Sequence, residues 1–398
     1  MIFGAGKIGR SFIGQLFSLN GYQLVFVDKN RLITDELNRR DEYHVVVKAE
    51  KDCMLVIKNF SGIYADDKVA IAKVLGKADL AATCVGKNAF EEVISLIGEC
   101  LTLAVSNGRN HPLDIILGEN IINAAQIAKK VLSEKTGNPS LAENLTGLVE
   151  TSIGKMVPIL ARELEVKDPL MVYAEPYNTL ILDKKAFKNQ APEFPGIQLV
   201  NDIEAWVYRK ALIHNLGHAA LVYAGYFHYP ASLYVSELVD KPDVFQFAKN
   251  VMRVSAGILH HAFPDEFNLT DLTVHTDELL LRFANKALGD TLFRVGSGLY
   301  RKFGPDDRIF GAVTLAEKHG INFLPFLETA AYGLFFRAVD ENGNYLPEDG
   351  SAIGEIETDP MIFLTKATGY PAESPLLQRI SELYSMLKNK KADMGKLP

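Results

Sequence analysis

The feature that most constrains the fold lies within the first thirty residues. Met1-Ile-Phe-Gly-Ala-Gly-Lys-Ile-Gly9 opens with a short apolar strand and turns through GxGxxG at Gly4, Gly6 and Gly9. Arg10 to Leu19, with Phe12, Ile13 and Phe17 at helical spacing, reads as the helix that follows. Tyr22-Gln-Leu-Val-Phe-Val27 reads as a second strand ending in Asp28. A glycine triplet on its own is a common pattern. Strand, turn, helix and strand, with an acid about twenty residues beyond the last glycine, is the arrangement that cradles a dinucleotide. The free N–H groups and the dipole of a helix N-terminus favour a pyrophosphate, and Gly4, Gly6 and Gly9, with Lys7 and Ile8 between them, let the backbone approach it. Asp28 would accept from an adenosine ribose 2′-hydroxyl and repel a 2′-phosphate, so NAD is expected in preference to NADP. The bland alternative is a tight βα turn with no ligand.

Further strand-like runs follow at βαβ spacing. Leu80-Ala-Ala-Thr-Cys-Val-Gly86 ends in Val85 and Gly86, as expected where backbone borders a nicotinamide. Leu101 to Val105 reads either as a strand or as the end of the preceding helix. Leu113 to Leu117 is followed by Gly118-Glu-Asn120 at the carboxyl end of a strand, where open α/β sheets bind ligands. Asn120 would hold a substrate hydroxyl or cap the helix beginning near Ile121. Leu170 to Glu175 and Thr179 to Leu182 read as late strands completing the sheet. The turn-rich passage Ala191-Pro-Glu-Phe-Pro-Gly196 then marks a domain junction.

Beyond it the character is helical: 203–226, 244–262, 276–288, 307–318 and 323–339, then a polar loop over 340–349 and a terminal helix near 375–388. The expected fold is an α/β N-terminal Rossmann-type domain with a mostly parallel sheet (1–196), followed by a mainly α-helical C-terminal domain (197–398).

Within the first long helix of the second part stands Lys210-Ala-Leu-Ile-His-Asn-Leu-Gly-His218. At about 100° per residue, Asn215 falls roughly 140° and His218 roughly 80° round from Lys210, so all three share one half of the helix surface. A lysine, an amide and an imidazole on one face suit polyol or carbonyl chemistry. The lysine exchanges a proton while the other two hold the reacting oxygen by hydrogen bonds. A free lysine titrates near ~10.4, so as a base at neutral pH it must be partly desolvated. The bland alternative is a helix with a solvated lysine. His214 and His218 have HxxxH spacing, but Asn215 stands where a zinc protease carries its glutamate and no third ligand is evident. No metal is expected, and His214 is expected to pack or bond structurally.

Composition excludes other classes. A net charge of -7 over 398 residues, with no long Lys/Arg block, argues against a nucleic-acid partner. No window approaches the ~18 uninterrupted apolar residues of a membrane span. Met1 runs directly into a strand rather than a signal peptide, so a cytoplasmic protein is expected. Cys53, Cys84 and Cys100, odd in number and without metal-ligand spacing, read as reduced thiols, mostly buried.

The glycine turn at the N-terminus, paired with a Lys-x4-Asn-x2-His helix opening a helical second half, resembles the polyol-specific long-chain dehydrogenases, the mannitol dehydrogenase family. Phe3-Gly-Ala-Gly-Lys-Ile-Gly-Arg-Ser-Phe-Ile-Gly14, Gly118-Glu-Asn120, Phe194-Pro-Gly196 and Arg209-Lys-Ala-Leu-Ile-His-Asn-Leu-Gly-His-Ala219 are similar in particular to its mannitol-1-phosphate 5-dehydrogenases. Length also favours that phosphate-using branch. The resemblance implies NAD as cofactor and a small-molecule sugar or polyol phosphate as substrate, in a monomer or small homo-oligomer. It implies Lys210 as general acid/base, with Asn215 and His218 polarising the reacting oxygen, and Asn120 as a substrate contact. Arg294, in Asp290-Thr-Leu-Phe-Arg294, and Lys302 match a basic pair that reaches the substrate. With Arg301 and Arg308 they form the cationic set a phosphorylated hexitol calls for.

One departure stands out: Ser152-Ile-Gly-Lys-Met-Val-Pro158 has Gly154 where the family commonly has an aspartate near the substrate. A hexuronate reductase or an unphosphorylated-polyol dehydrogenase is therefore the alternative, and a non-catalytic NAD-binding protein a more distant one.

Overall fold

The two-residue strand Ile2–Phe3 (β1) sits inside a sheet because strands on both sides extend its ladder. It pairs in parallel with Leu24–Asp28 (β2), where Phe3 lies beside Val27, and with Leu80–Thr83, where Phe3 lies beside Thr83. The computed structural model describes residues 1–119, 121, 123–137, 139–158 and 166–394. Numbering the strands along the chain, Glu42–Val47 is β3, Cys53–Lys58 β4, Phe60–Tyr64 β5, Leu80–Thr83 β6, Leu113–Leu117 β7, Thr146–Ser152 β8, Val172–Ala174 β9, Leu180–Asp183 β10 and Ile197–Val200 β11. Eight of them form one sheet in the order β11-β10-β8-β7-β6-β1-β2-β5, parallel except where β10 runs antiparallel to β8. The N-terminal part is thus a mostly parallel α/β unit, as its strand-helix alternation implies.

Alternate residues of each strand point to opposite faces, and both faces are covered. Phe3, Val27, Ile115 and Leu117 join one buried cluster with Phe90, Ile94, Ile97 and Leu101. Ile2, Phe26 and Ile116 join the other with Phe12, Ile13, Leu16 and Leu180. Burial on both faces explains why these strands read as nearly continuous apolar runs. Leu101 to Val105 belongs to the helix Phe90–Ser106, where Ile94, Ile97, Leu101 and Ala104 recur at helical spacing and are buried.

One expectation for this unit needs correction. The run Leu170 to Glu175 does not complete the main sheet. Its strand β9 pairs in parallel with β3, in a separate three-stranded sheet ordered β4-β3-β9, and only β10 joins the large one. Strand propensity states that a segment is extended, not which edge it joins, and Val45, Val46 and Val47 of β3 offered the open one. The turn at 191–196 is followed by β11, which pairs in parallel with β10. The chain divides into compact units at Met1–Val207 and Tyr208–Pro398.

The second unit is helical. The stretch expected as one helix over 203–226 is Ile203–Arg209, a π-turn at Lys210–Asn215, and Leu216–His228, with helical backbone at both joints. Helices follow at Pro242–Ala262 and Leu269–Phe283, the second starting earlier than expected because the Asn268 side chain caps it by accepting from the Asp271 N–H. Shorter helices at Leu292–Gly296 and Leu299–Lys302 lead to Phe310–Lys318 and Leu324–Gly333. The polar loop ends sooner than its composition suggests. Pro347 is the first residue of the helix Pro347–Thr358, and Glu348 and Asp349 favour its N-terminal turn. Pro360–Thr368 and Pro375–Met394 complete the unit. Among the described residues, no helix is long and apolar enough to cross a membrane.

Candidate functional site

In the α/β unit the glycine turn borders a cavity of about 880 Å³ whose lining includes Gly4, Gly6, Asp28, Cys84 and Val85. The glycines are there for different reasons. Gly4 has φ +100°, and a Cβ on it would lie 2.5 Å from the Cys84 carbonyl oxygen. A Cβ on Gly9 would lie 2.0 Å from the Gly4 carbonyl oxygen, so Gly9 closes the turn against the helix. Gly6, in contrast, has nothing within 4 Å of a built Cβ. It is exposed, as are Lys7 and Gly86, while Ile8 is half-buried. Open space over Gly6 at the start of a helix, beside a cavity of this size, is what close approach of a pyrophosphate to backbone requires.

Asp28 is tied to the turn itself: its Oδ2 accepts from the Ala5 N–H at 2.7 Å and its Oδ1 from the Asn30 N–H at 2.8 Å. The carboxylate is thereby oriented at the cavity wall with lone pairs to spare. Opposite, Glu119 performs a role the sequence reading missed. Its Oε1 accepts from the Val85 N–H at 2.8 Å and its Oε2 from the Thr83 hydroxyl, which holds the end of β6 against the end of β7. Burial pushes its carboxyl above the ordinary range, and hydrogen bonds from Thr83 and Val85 oppose that. The signal is Gly118-Glu-Asn120 itself, which sets a carboxylate at the carboxyl end of a strand. Asn120 lies outside the described residues.

In the helical unit the Lys210–Asn215 turn changes the geometry expected of the Lys/Asn/His set. A π-turn bonds i to i+5 and advances less per residue than an α-helix, so the arc from Lys210 to Asn215 is smaller than the roughly 140° of a regular helix. Such turns recur at functional sites. Burial lowers the Lys210 ammonium to about 8, with the Arg308 guanidinium adding to the shift. His214 and His218 are buried, and burial holds both imidazoles well below their usual range. Arg282 assists at His214, and Arg294, Arg308 and Lys302 at His218. The His218 ring stacks on Phe283 at 4.0 Å and 8°, and among the described residues its Nε2 has no hydrogen-bond partner. His214 lies 5.9 Å from His218 and 5.6 Å from Phe283, ring centre to ring centre. A neutral imidazole with a fixed plane and an open nitrogen can donate to or accept from a reacting oxygen.

The four cations behave differently from one another. Lys302 is fully buried and donates to the Val295 carbonyl. Arg308 is buried too, with Nε donating to Asp307 at 2.7 Å and Nη1 to the Asn215 carbonyl at 3.4 Å. Arg294 pairs with Asp290, and Arg301 is exposed and pairs with Asp307 at 3.3 Å. Arg294, Lys302 and Arg308 therefore surround His218 electrostatically, whereas Arg301 faces outward. At the departure from the family pattern, Gly154 precedes the buried Lys155. The Lys155 Nζ donates to Asn178 Oδ1 at 2.6 Å and sits 5.1 Å from the centre of the Phe12 ring. Among the described residues there is no group of three or more His, Cys, Asp or Glu side chains able to hold a metal ion.

The sequence matches the mannitol dehydrogenase Rossmann domain over residues 1–196 and the mannitol dehydrogenase C-terminal domain over residues 202–388. The chain belongs to the mannitol dehydrogenase family. It is accordingly an oxidoreductase of the polyol dehydrogenase class. Among its relatives in this family is a mannitol-1-phosphate 5-dehydrogenase of Lacticaseibacillus casei (strain BL23), 29% identical over 343 residues, covering 85% of this chain and 87% of the relative. The enzyme of the same name from Lactiplantibacillus plantarum is 29% identical over 347 residues, covering 84% and 86%.

Two solved structures share the fold of this mannitol dehydrogenase family member. One is Pseudomonas fluorescens mannitol 2-dehydrogenase in ternary complex with NAD and D-mannitol, with TM-score 0.74, 16% identity, and coverage of 100% of this chain and 94% of that one. The other is D-sorbitol dehydrogenase in substrate-free form, with TM-score 0.80, 18% identity, and coverage of 98% and 93%.

Proposed function

We propose that the protein is an NAD-dependent, metal-independent dehydrogenase that interconverts a polyol phosphate and a ketose phosphate, mannitol 1-phosphate and fructose 6-phosphate, with Lys210 as general acid/base. The observation that carries this reading is the π-turn, which holds a desolvated lysine titrating at about 8 in one turn with Asn215, with His218 in the helix that follows directly. At pH 7 a lysine of that pKa is neutral in on the order of one molecule in ten, against roughly one in a few thousand for a free one. It can therefore both take and return a proton near neutrality.

The α/β domain (1–196) holds the dinucleotide and the helical domain (197–398) supplies the acid/base group. Gly4, Gly6, Lys7, Ile8 and Gly9 receive the pyrophosphate, Asp28 the adenosine ribose, and Val85 and Gly86 border the nicotinamide. Asn120 is assigned to the cofactor and the substrate by the family resemblance. NAD, when bound, accepts the hydride in the oxidation and its reduced form donates it in the reverse direction. In oxidation, neutral Lys210 takes the hydroxyl proton of the reacting carbon. Asn215 and neutral His218 hold the same oxygen by hydrogen bonds, stabilising its alkoxide character as the proton leaves. In reduction the Lys210 ammonium returns the proton to the carbonyl oxygen. The cations Arg294, Lys302 and Arg308 around His218 favour a substrate that bears negative charge, with Arg301 at the rim of the set.

The names of the curated relatives support the phosphorylated substrate. Gly154 in place of a family aspartate favours a second reading, a hexuronate reductase or a dehydrogenase of unphosphorylated polyols. NADH oxidation with fructose 6-phosphate, fructose, tagaturonate and fructuronate separates the two. Turnover of fructose 6-phosphate alone is expected; turnover of fructose or a ketouronate alone rejects the phosphate assignment. Absence of turnover across the panel would favour a non-catalytic NAD-binding role.

A further inference from the structure

We infer that Arg308 is a positioning residue of the reaction centre: its guanidinium holds, through the Asn215 carbonyl, the C-terminal end of the π-turn that carries Lys210. The inference rests on the proposed role of Lys210 and adds a group that holds its turn in place.

Arg308 lies 93 residues from Asn215 in sequence, yet its Nη1 reaches the Asn215 carbonyl at 3.4 Å, where i→i+5 bonding gives way to the ordinary helix Leu216–His228. A guanidinium has donors in a rigid fork, so one edge is held while another reaches out. Here Asp307 holds that edge: its Oδ1 accepts from both the Nε and the backbone N–H of Arg308, each at 2.7 Å. Arg301 pairs with the other oxygen of the same carboxylate. The side chain is buried, so its field is little screened. Lys210, His218 and Lys302 all respond to Arg308.

The charged and titratable groups around this turn come from three directions. Arg308, on the loop before the helix Phe310–Lys318, acts on Lys210 electrostatically. His214 feels Lys210 and His218 on its own helix, and His275 and Arg282 from the helix Leu269–Phe283. The helix Pro242–Ala262 also packs on the turn, and its buried residues carry no charge. A fixed positive charge opposite an ammonium disfavours the protonated form. Arg308 thus biases Lys210 toward the base while its hydrogen bond keeps the Asn215 backbone in register.

The test compares Arg308→Gln and Arg308→Lys with the unaltered full-length enzyme. One measurement is the pH profile of kcat/KM for polyol phosphate oxidation. The second, independent of turnover, is the pH dependence of Lys210 acetylation by trace acetic anhydride, followed by peptide mass spectrometry. In Arg308→Gln the acid limb and the labelling midpoint of Lys210 are both expected to move up by on the order of one pH unit. The rate at pH 7 then falls roughly tenfold and recovers at high pH. Arg308→Lys restores the limb. A uniform loss of kcat at every pH, with the labelling midpoint in place, marks a merely structural residue and overturns the inference. A midpoint that moves in an enzyme whose turnover survives Lys210→Ala overturns the role of Lys210 instead and leaves the Arg308 assignment standing.

Discussion

The hydroxyl of Tyr43 donates to the backbone carbonyl of Arg10 at 2.9 Å, inside the π-turn Gly9–Gly14 that directly follows the glycine turn. Tyr43 is on β3, and the small β4-β3-β9 sheet thereby braces the π-turn that continues from the glycine turn. Gly14 makes room for it: a Cβ there would lie 2.9 Å from the Tyr43 oxygen and 2.8 Å from the Gly9 carbonyl oxygen. Burial raises the phenol far above its ordinary range, so it remains a donor throughout the accessible pH range. Tyr43→Phe leaves a buried carbonyl without that donor and is expected to cost about 1–3 kcal/mol of stability. It should also weaken NADH binding. Urea denaturation and an NADH fluorescence titration check both; unchanged values in each would mean that the brace does not hold the turn.

Lys210→Ala should reduce turnover by orders of magnitude while NADH affinity changes little. The pH dependence of the unaltered enzyme follows from the direction of the shift. Burial lowers the Lys210 pKa to about 8, so the neutral base is scarce below pH 8 and predominates above it. Oxidation of the polyol should rise with pH through a limb near 8. Steady-state kinetics from pH 6 to 10 provide the measurement, and a limb near the ordinary lysine value, ~10.4, would place the desolvation argument in error.

Asp28→Ala is expected to relax the preference for NADH over NADPH, because it removes the negative charge that repels a 2′-phosphate. The substitution also deprives the Ala5 and Asn30 N–H groups of their acceptors, so some loss of affinity for both cofactors should accompany it. Asp28→Asn keeps an acceptor while removing the charge, and separates the two effects. An unchanged ratio of kcat/KM values for NADH and NADPH in both variants would show that this carboxylate does not read the ribose.

Arg294→Ala should diminish discrimination between fructose 6-phosphate and fructose by about tenfold or more, the scale of one charge-assisted hydrogen bond. Its partner Asp290 is buried, and losing the guanidinium leaves that carboxylate unpaired by it, so a drop in thermal stability is also expected. A substrate ratio that stays constant while stability falls would assign Arg294 to the Asp290 pair alone.

Amino-acid order by itself determined what depends on neighbours in the chain. The glycine turn with its helix and Asp28 strand, the apolar strands of the parallel sheet, the helical second half and the single face of Lys210 and His218 all follow from spacings of a few residues, where periodicity and backbone preference act directly. Partnerships across the chain were set only by tertiary packing. β9 chose the edge of β3 over the main sheet, and β11, after the turn at 191–196, paired with β10. Tyr43 reached Arg10 across 33 residues, Glu119 reached Val85 across 34, and Arg308 reached Asn215 across 93. The π-turn at Lys210 belongs to the same class: its residues are ordinary helix formers, and nothing in their order distinguishes i→i+5 bonding from i→i+4. Each of these interactions closes a long loop or a rare backbone geometry. Burial and hydrogen bonding to distant groups must repay the entropy of doing so, and that balance exists only once the rest of the chain has folded around it.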